Sequence, residues 1–337
     1  MIAAKAPARQ TRRSPTPSAE AIRDPKELLQ VLQLDAELLP GAQAAARLFP
    51  MRVPDDFVAR IAPGDPADPL LRQVLPQAAE LESVPGFVAD PLDEHRASVA
   101  PGVLHKYPGR ALLIVTGACA VHCRYCFRRE FPYADHHAGV DAWQPALAYL
   151  AGDSSLREVI LSGGDPLTLS NPRLGRLLAA LDGIVHLQRL RIHSRAPVVL
   201  PARIDDELLE TLAQTRLRRV AVIHANHPRE IDDTVAAALR RLGSAGVTLF
   251  NQSVLLRGVN DAPEILAELS EALFAAGVTP YYLHLLDPVR GAAHFAVKES
   301  DALAIMEALR QRLPGYLAPR LVREQPGQLA KTLVERG

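Results

Sequence analysis

The only cysteines in the chain, Cys119, Cys123 and Cys126, fall within eight residues and are spaced C-x3-C-x2-C. An odd, tightly clustered set is a poor disulfide framework; it points to thiolates binding a metal or cluster in a reducing, cytoplasmic setting. Soft thiolate sulfur suits iron–sulfur iron, and loop 116–129 can fold three sulfurs around one cubane. Three ligands for four irons leave one iron open to bind a substrate. A zinc site with His122 or His136 as fourth ligand stays open, although structural zinc usually uses paired C-x2-C or H-x3-H modules and no second pair is present. Three incidental buried thiols are the remaining reading.

Other polar residues fall at the ends of apolar runs. The string Ser162-Gly163-Gly164-Asp165 places two glycines where backbone can approach a ligand closely, with a carboxylate beside them. Read blandly, it is a strand–helix turn capped by Asp165. Later runs end in His193-Ser194-Arg195, His224-Ala225-Asn226-His227, Asn251-Gln252-Ser253 and His284-Leu285-Leu286-Asp287. Single polar residues at such ends are weak signals; four in succession on one rim are more persuasive.

The elements that must position these residues repeat. Short β-branched runs at 111–117, 157–163, 187–194, 218–225, 247–256 and 279–286 alternate with helical patterns at 142–152, 171–183, 205–215, 230–246 and 262–277. Several of the helical patterns stop at glycine. Alternation of this kind implies a parallel α/β sheet with right-handed crossovers, and six units fall short of the eight in a closed barrel. The expectation is a partial, open (β/α)6 barrel over 101–315, with chemistry at the C-terminal strand ends. Before it, 21–100 reads as a mainly helical extension: Asp24 is a cap, Pro25 opens a helix, and the turn-rich stretch 83–110 is a linker. Segment 316–337 is set apart as a C-terminal piece.

Composition narrows the field. Of 337 residues, 48% are hydrophobic and 23% charged, which fits an ordinary globular chain with a sizeable core. Lys plus Arg and Asp plus Glu are 38 each, so no general attraction to nucleic acid or an anionic membrane is expected. No apolar run is long enough for a membrane span. Residues 1–20 are basic and proline-rich, loosely like a transit peptide but without a secretory apolar core, and read as disordered.

The cysteine motif after the first strand of a half-open barrel resembles the radical S-adenosylmethionine (SAM) superfamily. The strings HKYPGRALLIVTGACAVHCRYCFRR, LSGGDPL, HSRAPVVLPARI, NQSVLLRGVND and PYYLHLLD resemble the lysine 2,3-aminomutase family in particular. That resemblance implies a [4Fe–4S] cluster on the three cysteines, with SAM chelating the open iron. It places SAM near Gly163, Gly164, Asp165, Ser194, His224 and Gln252. It also implies pyridoxal 5′-phosphate (PLP), which needs a lysine to hold it.

Of Lys5, Lys26, Lys106, Lys298 and Lys331, the first two lie outside the barrel, Lys298 reads as solvated surface, and Lys106 starts the first strand, away from the rim. Lys331 remains, and it matches the family's PLP lysine; without the resemblance it would read as a frayed basic tail. Family members have a run of glycines before this lysine, whereas here Gly327 stands alone. Lys106, Tyr107 and Arg110 match the family's PLP-contacting segment. Arg128 matches the residue that binds the substrate carboxylate, its planar fork suiting a bidentate contact. Asp287 and Glu324 match the carboxylates for the ε-ammonium, with Glu324 where the family has Asp; as unplaced acids both would read as surface charge. The implied reaction moves nitrogen from Cα to Cβ of L-lysine.

The helical N-terminal part, CAVHCRYCFRREFPYA and PYYLHLLDPVRGAAHF resemble the bacterial branch that makes β-lysine for elongation factor P, where a separate ligase attaches it. A free lysine 2,3-aminomutase is the nearest alternative, and a non-catalytic Fe–S or zinc module the alternative of another class. A reductant protein is an implied partner; a homo-oligomer stays open.

Overall fold

The computed structural model describes residues 21–133 and 143–335; residues 1–20 and His136 lie outside them. The strands are β1 (Ala21–Ile22), β2 (Val53–Pro54), β3 (Ser98–Ala100), β4 (Val103–Tyr107), β5 (Arg110–Thr116), β6 (Glu158–Gly163), β7 (Arg189–Ser194), β8 (Arg218–Ile223), β9 (Thr248–Val254), β10 (Thr279–His284), β11 (Arg320–Arg323) and β12 (Thr332–Leu333). The six expected strands are β5 to β10, paired in parallel with their neighbours. The helices between them, Gln144–Gly152, Asn171–Asp182, Asp206–Ala213, Asp233–Ser244 and Pro263–Ala275, occupy the expected stretches. Their starts are chemically marked: Asp205 and Asp232 accept from the Leu208 and Val235 amides, the capping bond an N-terminal carboxylate makes. Leucines of these helices and alternate strand residues form the main core between sheet and helices.

Three features were not anticipated. A seventh parallel strand, β11, follows helix Glu299–Arg312 and pairs with β10. Lys106 does not begin the first barrel strand but sits on β4, which runs antiparallel to β5. Strand β12, just after Lys331, returns antiparallel to β11.

The ten strands from β3 to β12 form one sheet that stays open at both edges. It nevertheless curls into a barrel. Lys106 on β4 and Glu324 just past β11 belong to opposite ends of the sheet, yet Nζ and Oε1 are 2.9 Å apart. Side chains, not backbone pairing, cross the seam at this point. The stretch read as a linker spans the same side: the Val88 amide donates to Pro288 O and the Arg290 amide to Val88 O, each at 2.9 Å.

The N-terminal extension grips the cysteine loop. Asp24 caps helix Pro25–Val31 as expected, accepting from the Lys26 amide. Leu28, Phe57 and Leu70 are buried in one cluster with Ala120, Val121 and Val199. Glu80 takes the Arg124 fork at 2.8 and 2.6 Å, with neither side chain exposed, and Arg129 Nη2 at 2.7 Å. The His122 and Arg124 amides donate to Arg52 O and Gln73 O, each at 2.9 Å. Among the described residues, no helix is long and apolar enough to cross a membrane.

Candidate active site

The barrel encloses a cavity of about 480 Å³, and every site residue read from the sequence lines it. The cysteines and Gly163, Gly164 and Asp165 border it, as do Ser194, His224 and Gln252 from the strand ends. So do Lys106, Tyr107, Arg110, Arg128, Asp287, Glu324 and Lys331. Curling the sheet carries Lys106 inward although its strand lies outside the six expected units.

At the cysteine end, the three sulfurs do not all lie within 4.8 Å of one another in the bare chain. Zn–S bonds of about 2.3 Å in a tetrahedron hold sulfurs about 3.8 Å apart. Among the described residues, only Asp90, Asp93 and His95 bring three ligand atoms within 4.8 Å of one another. His122, one candidate fourth ligand, has its Nδ1 on Pro50 O at 2.8 Å. Burial, reinforced by the neighbouring thiols, holds Cys119 well above its ordinary value and Cys126 up at about 11. The Cys119 and Cys126 thiols resist losing their protons in the bare chain, a cost that a cationic cluster would relieve. Arg195, from the end of β7, donates to Cys123 Sγ at 2.7 Å and to Glu230 at 3.0 Å. The three cysteines border open cavity, the donor set and setting a cluster with one accessible iron would need.

The glycine pair serves the protein as well as any ligand. A Cβ on Gly163 (φ +116°) would lie 2.4 Å from Thr116 O, and one on Gly164 2.3 Å from Ala118 O. The end of β6 therefore presses against the cysteine loop where no side chain fits. The Asp165 carboxylate is consumed by Ser194 Oγ and the Leu167, Arg195 and Ala196 amides, at 2.7 to 3.0 Å. It ties the β6 end to the β7 end and leaves the backbone of the glycines on the cavity wall.

From Arg128 the cavity wall continues as a run of alternating charge. Arg128 donates Nε and Nη2 to Glu94 at 2.7 and 2.8 Å, and Nη1 to Ser162 Oγ at 2.9 Å. Lys106 Nζ sits 2.9 Å from Glu94 and 2.9 Å from Glu324, so both of its neighbours are acids. Lys331 Nζ donates to the other Glu324 oxygen at 2.7 Å. Burial would raise the Glu324 carboxyl, but Lys331 and Lys106 hold it well below the usual range. Arg110 stacks on Tyr107, 4.7 Å from the ring centroid, and among the described residues no carboxylate pairs with it. The turn before Lys331 uses its single glycine at φ +78°, with nothing near the missing Cβ.

Asp287 is the exception on this wall. Its carboxylate has no hydrogen-bond or ion-pair partner among the described residues. Burial first, then the charge of Glu324, pushes it up to about 7. His193, His224 and His284 also border the cavity, each with a buried, unpartnered Nε2. Burial keeps all three imidazoles neutral, His224 at about 4 and the others well below their ordinary value. Unsatisfied buried nitrogens and an unpaired carboxyl mark a wall shaped for polar ligands.

Glu94 was not singled out from the sequence, and Arg195 was noted only as part of a strand-end run, with no role assigned. Arg195 lay within a recognised string, HSRAP, and its place after Ser194 was a usable signal. Glu94 lies in a turn-rich stretch and carried none.

The description "Radical SAM superfamily" matches residues 113–269, from β5 into helix Pro263–Ala275. L-lysine 2,3-aminomutase of Escherichia coli (strain K12) is 52% identical over 94% of this chain and 93% of its own length. That of Haemophilus influenzae is 50% identical over 93% of each. The enzyme of Clostridium subterminale is 38% identical over 92% of this chain and 74% of its own length. A radical SAM domain implies a [4Fe–4S] cluster and SAM, and the cavity wall at the cysteines suits both. With curated relatives at this identity over nearly the whole chain, the protein belongs to the lysine 2,3-aminomutase family of radical SAM isomerases.

Proposed function

We propose that this enzyme converts L-lysine to β-lysine with PLP held on Lys331, and that the product is used in the cytoplasm to β-lysylate elongation factor P. The observation that carries the PLP reading is that Lys331 Nζ opens onto the same cavity as Cys119, Cys123 and Cys126. When bound, the cluster and SAM supply a 5′-deoxyadenosyl radical, and PLP supplies the π-system across which the amino group shifts.

The chain's own residues bind, orient and exclude water. The three cysteines hold the cluster. The Gly163–Gly164 backbone, Ser194, His224 and Gln252 surround SAM. Lys331 holds PLP, with Arg110, Tyr107 and Lys106 toward its phosphate; Arg110 is the cation least committed elsewhere. Arg128 retains one unused N–H on each terminal nitrogen for the substrate carboxylate. Asp287 and Glu324 take the ε-ammonium, and two carboxylates favour lysine over a neutral amino acid. Walls buried this deeply keep reactive carbon centres from water.

The test is anaerobic reconstitution with PLP, SAM, a reductant and L-lysine, followed by chiral chromatography. β-Lysine should form, and Cys126→Ala should abolish both SAM cleavage and β-lysine. SAM cleavage without β-lysine would sink free lysine as substrate. The elongation factor P step rests on the sequence resemblance. Intact-mass analysis of elongation factor P from cells lacking this gene should show loss of a lysyl-sized addition; an unchanged mass would favour release of free β-lysine.

A further inference from the structure

The stretch that crosses the barrel seam delivers one acid into the site. The Asp90 carboxylate accepts the Glu94 amide at 3.0 Å and the His95 amide at 3.3 Å, which fixes the short helix Glu94–Ala97. Backbone bonds between Val88 and the 288–290 loop anchor one side of the strap, and β3 anchors the other. Glu94 is thus held from both directions, and only 2% of it is exposed. Its carboxylate grips the Nε and Nη2 side of Arg128 and also takes Lys106. Burial would raise its carboxyl, but Arg128 and Lys106 hold it below the usual range, so it stays ionised.

A guanidinium has two bidentate edges. With the Nε–Nη2 edge clamped, the Nη1–Nη2 edge is the one left to receive a second carboxylate. Ser162 Oγ accepts one of the two Nη1 hydrogens at 2.9 Å, and the other stays available. We propose that Glu94 is a positioning residue: it presents the free edge of Arg128 to the α-carboxylate of the substrate. This rests on the reading that Arg128 binds that carboxylate. Glu94 itself touches no reacting atom.

A double-mutant cycle tests it, because a residue acting through Arg128 loses its effect once Arg128 is gone. The variants are Glu94→Gln, Arg128→Gln and the pair, reconstituted with cluster and PLP, with iron content and PLP absorbance checked for each. Where Arg128→Gln fails to fold, Arg128→Lys replaces it. Glu94→Gln should raise KM for L-lysine by about tenfold or more while kcat changes less. It should also narrow the preference for L-lysine over lysinamide, which lacks the carboxylate charge. In the Arg128 variant the same change should alter KM less than about twofold. Additive losses, or an unchanged lysine-to-lysinamide preference, would overturn the proposal and leave the role of Arg128 standing. A wild-type KM in the Arg128 variant alone would overturn that role and the proposal with it.

Discussion

Lys106 and Lys331 come from opposite ends of the sheet and hold opposite oxygens of Glu324, at 2.9 and 2.7 Å. The lysine proposed to carry PLP is therefore parked as an ammonium on an acid. With Lys331 on PLP, as proposed, the Glu324 oxygen it holds here would be free for the substrate's ε-ammonium. Lys106 on the other oxygen would hold Glu324 in place. Glu324→Gln removes a charge-assisted bond to substrate and should raise KM for L-lysine by about tenfold to a hundredfold. Steady-state kinetics on protein of verified PLP content check this; an unchanged KM would remove Glu324 from the substrate site.

Asp287 gives the site a pH dependence. Its carboxyl sits at about 7, against an ordinary 3.8. Between those values the folded chain binds more protons than the unfolded chain, so this group's contribution makes stability fall as pH rises through that window. Substrate affinity moves the other way, because only the ionised carboxyl attracts an ammonium. KM for L-lysine should fall as pH rises through 7, and Asp287→Asn should raise KM and flatten that limb. A wild-type pH profile in the variant would show that another group titrates there.

Glu80 joins the N-terminal extension to the cysteine loop through two arginines, all of it buried. Removing one member of such a set leaves uncompensated charge. Glu80→Ala should destabilise the fold by about 3–5 kcal/mol, seen as a lower denaturation midpoint in urea. The variant should also retain less iron after reconstitution, since Arg124 lies between Cys123 and Cys126. Full stability would mean that the apolar cluster around Leu28 and Phe57 holds the loop unaided.

Strands β5 to β10 were legible as short apolar runs, and β5 to β9 each precede a helix with an aspartate or proline at its start. The cysteine motif was legible because its ligands are local in sequence. What the sequence hid was short or distant. The four residues of β11, RLVR, are too few to display a period, and β3 and β4 lie among turn residues that disguise them. Lys106 could be placed in the site only by resemblance, because its inward position depends on the curl of the whole sheet. Glu94 meets Arg128 across 34 residues of chain, and no spacing rule joins such a pair. Asp165 was read either as the cap of a strand–helix turn or, by resemblance, as near SAM; it does cap that turn through the Leu167 amide, and its other donors come from the next strand end.

The central claim, that Lys331 carries PLP in the cavity bordered by the cysteines, has a direct test. The PLP-loaded protein would be reduced with borohydride, digested and mapped by mass spectrometry. A pyridoxyl group is expected on Lys331, with loss of the PLP absorbance in Lys331→Ala. A pyridoxyl group on Lys106, or PLP absorbance that survives Lys331→Ala, would contradict it.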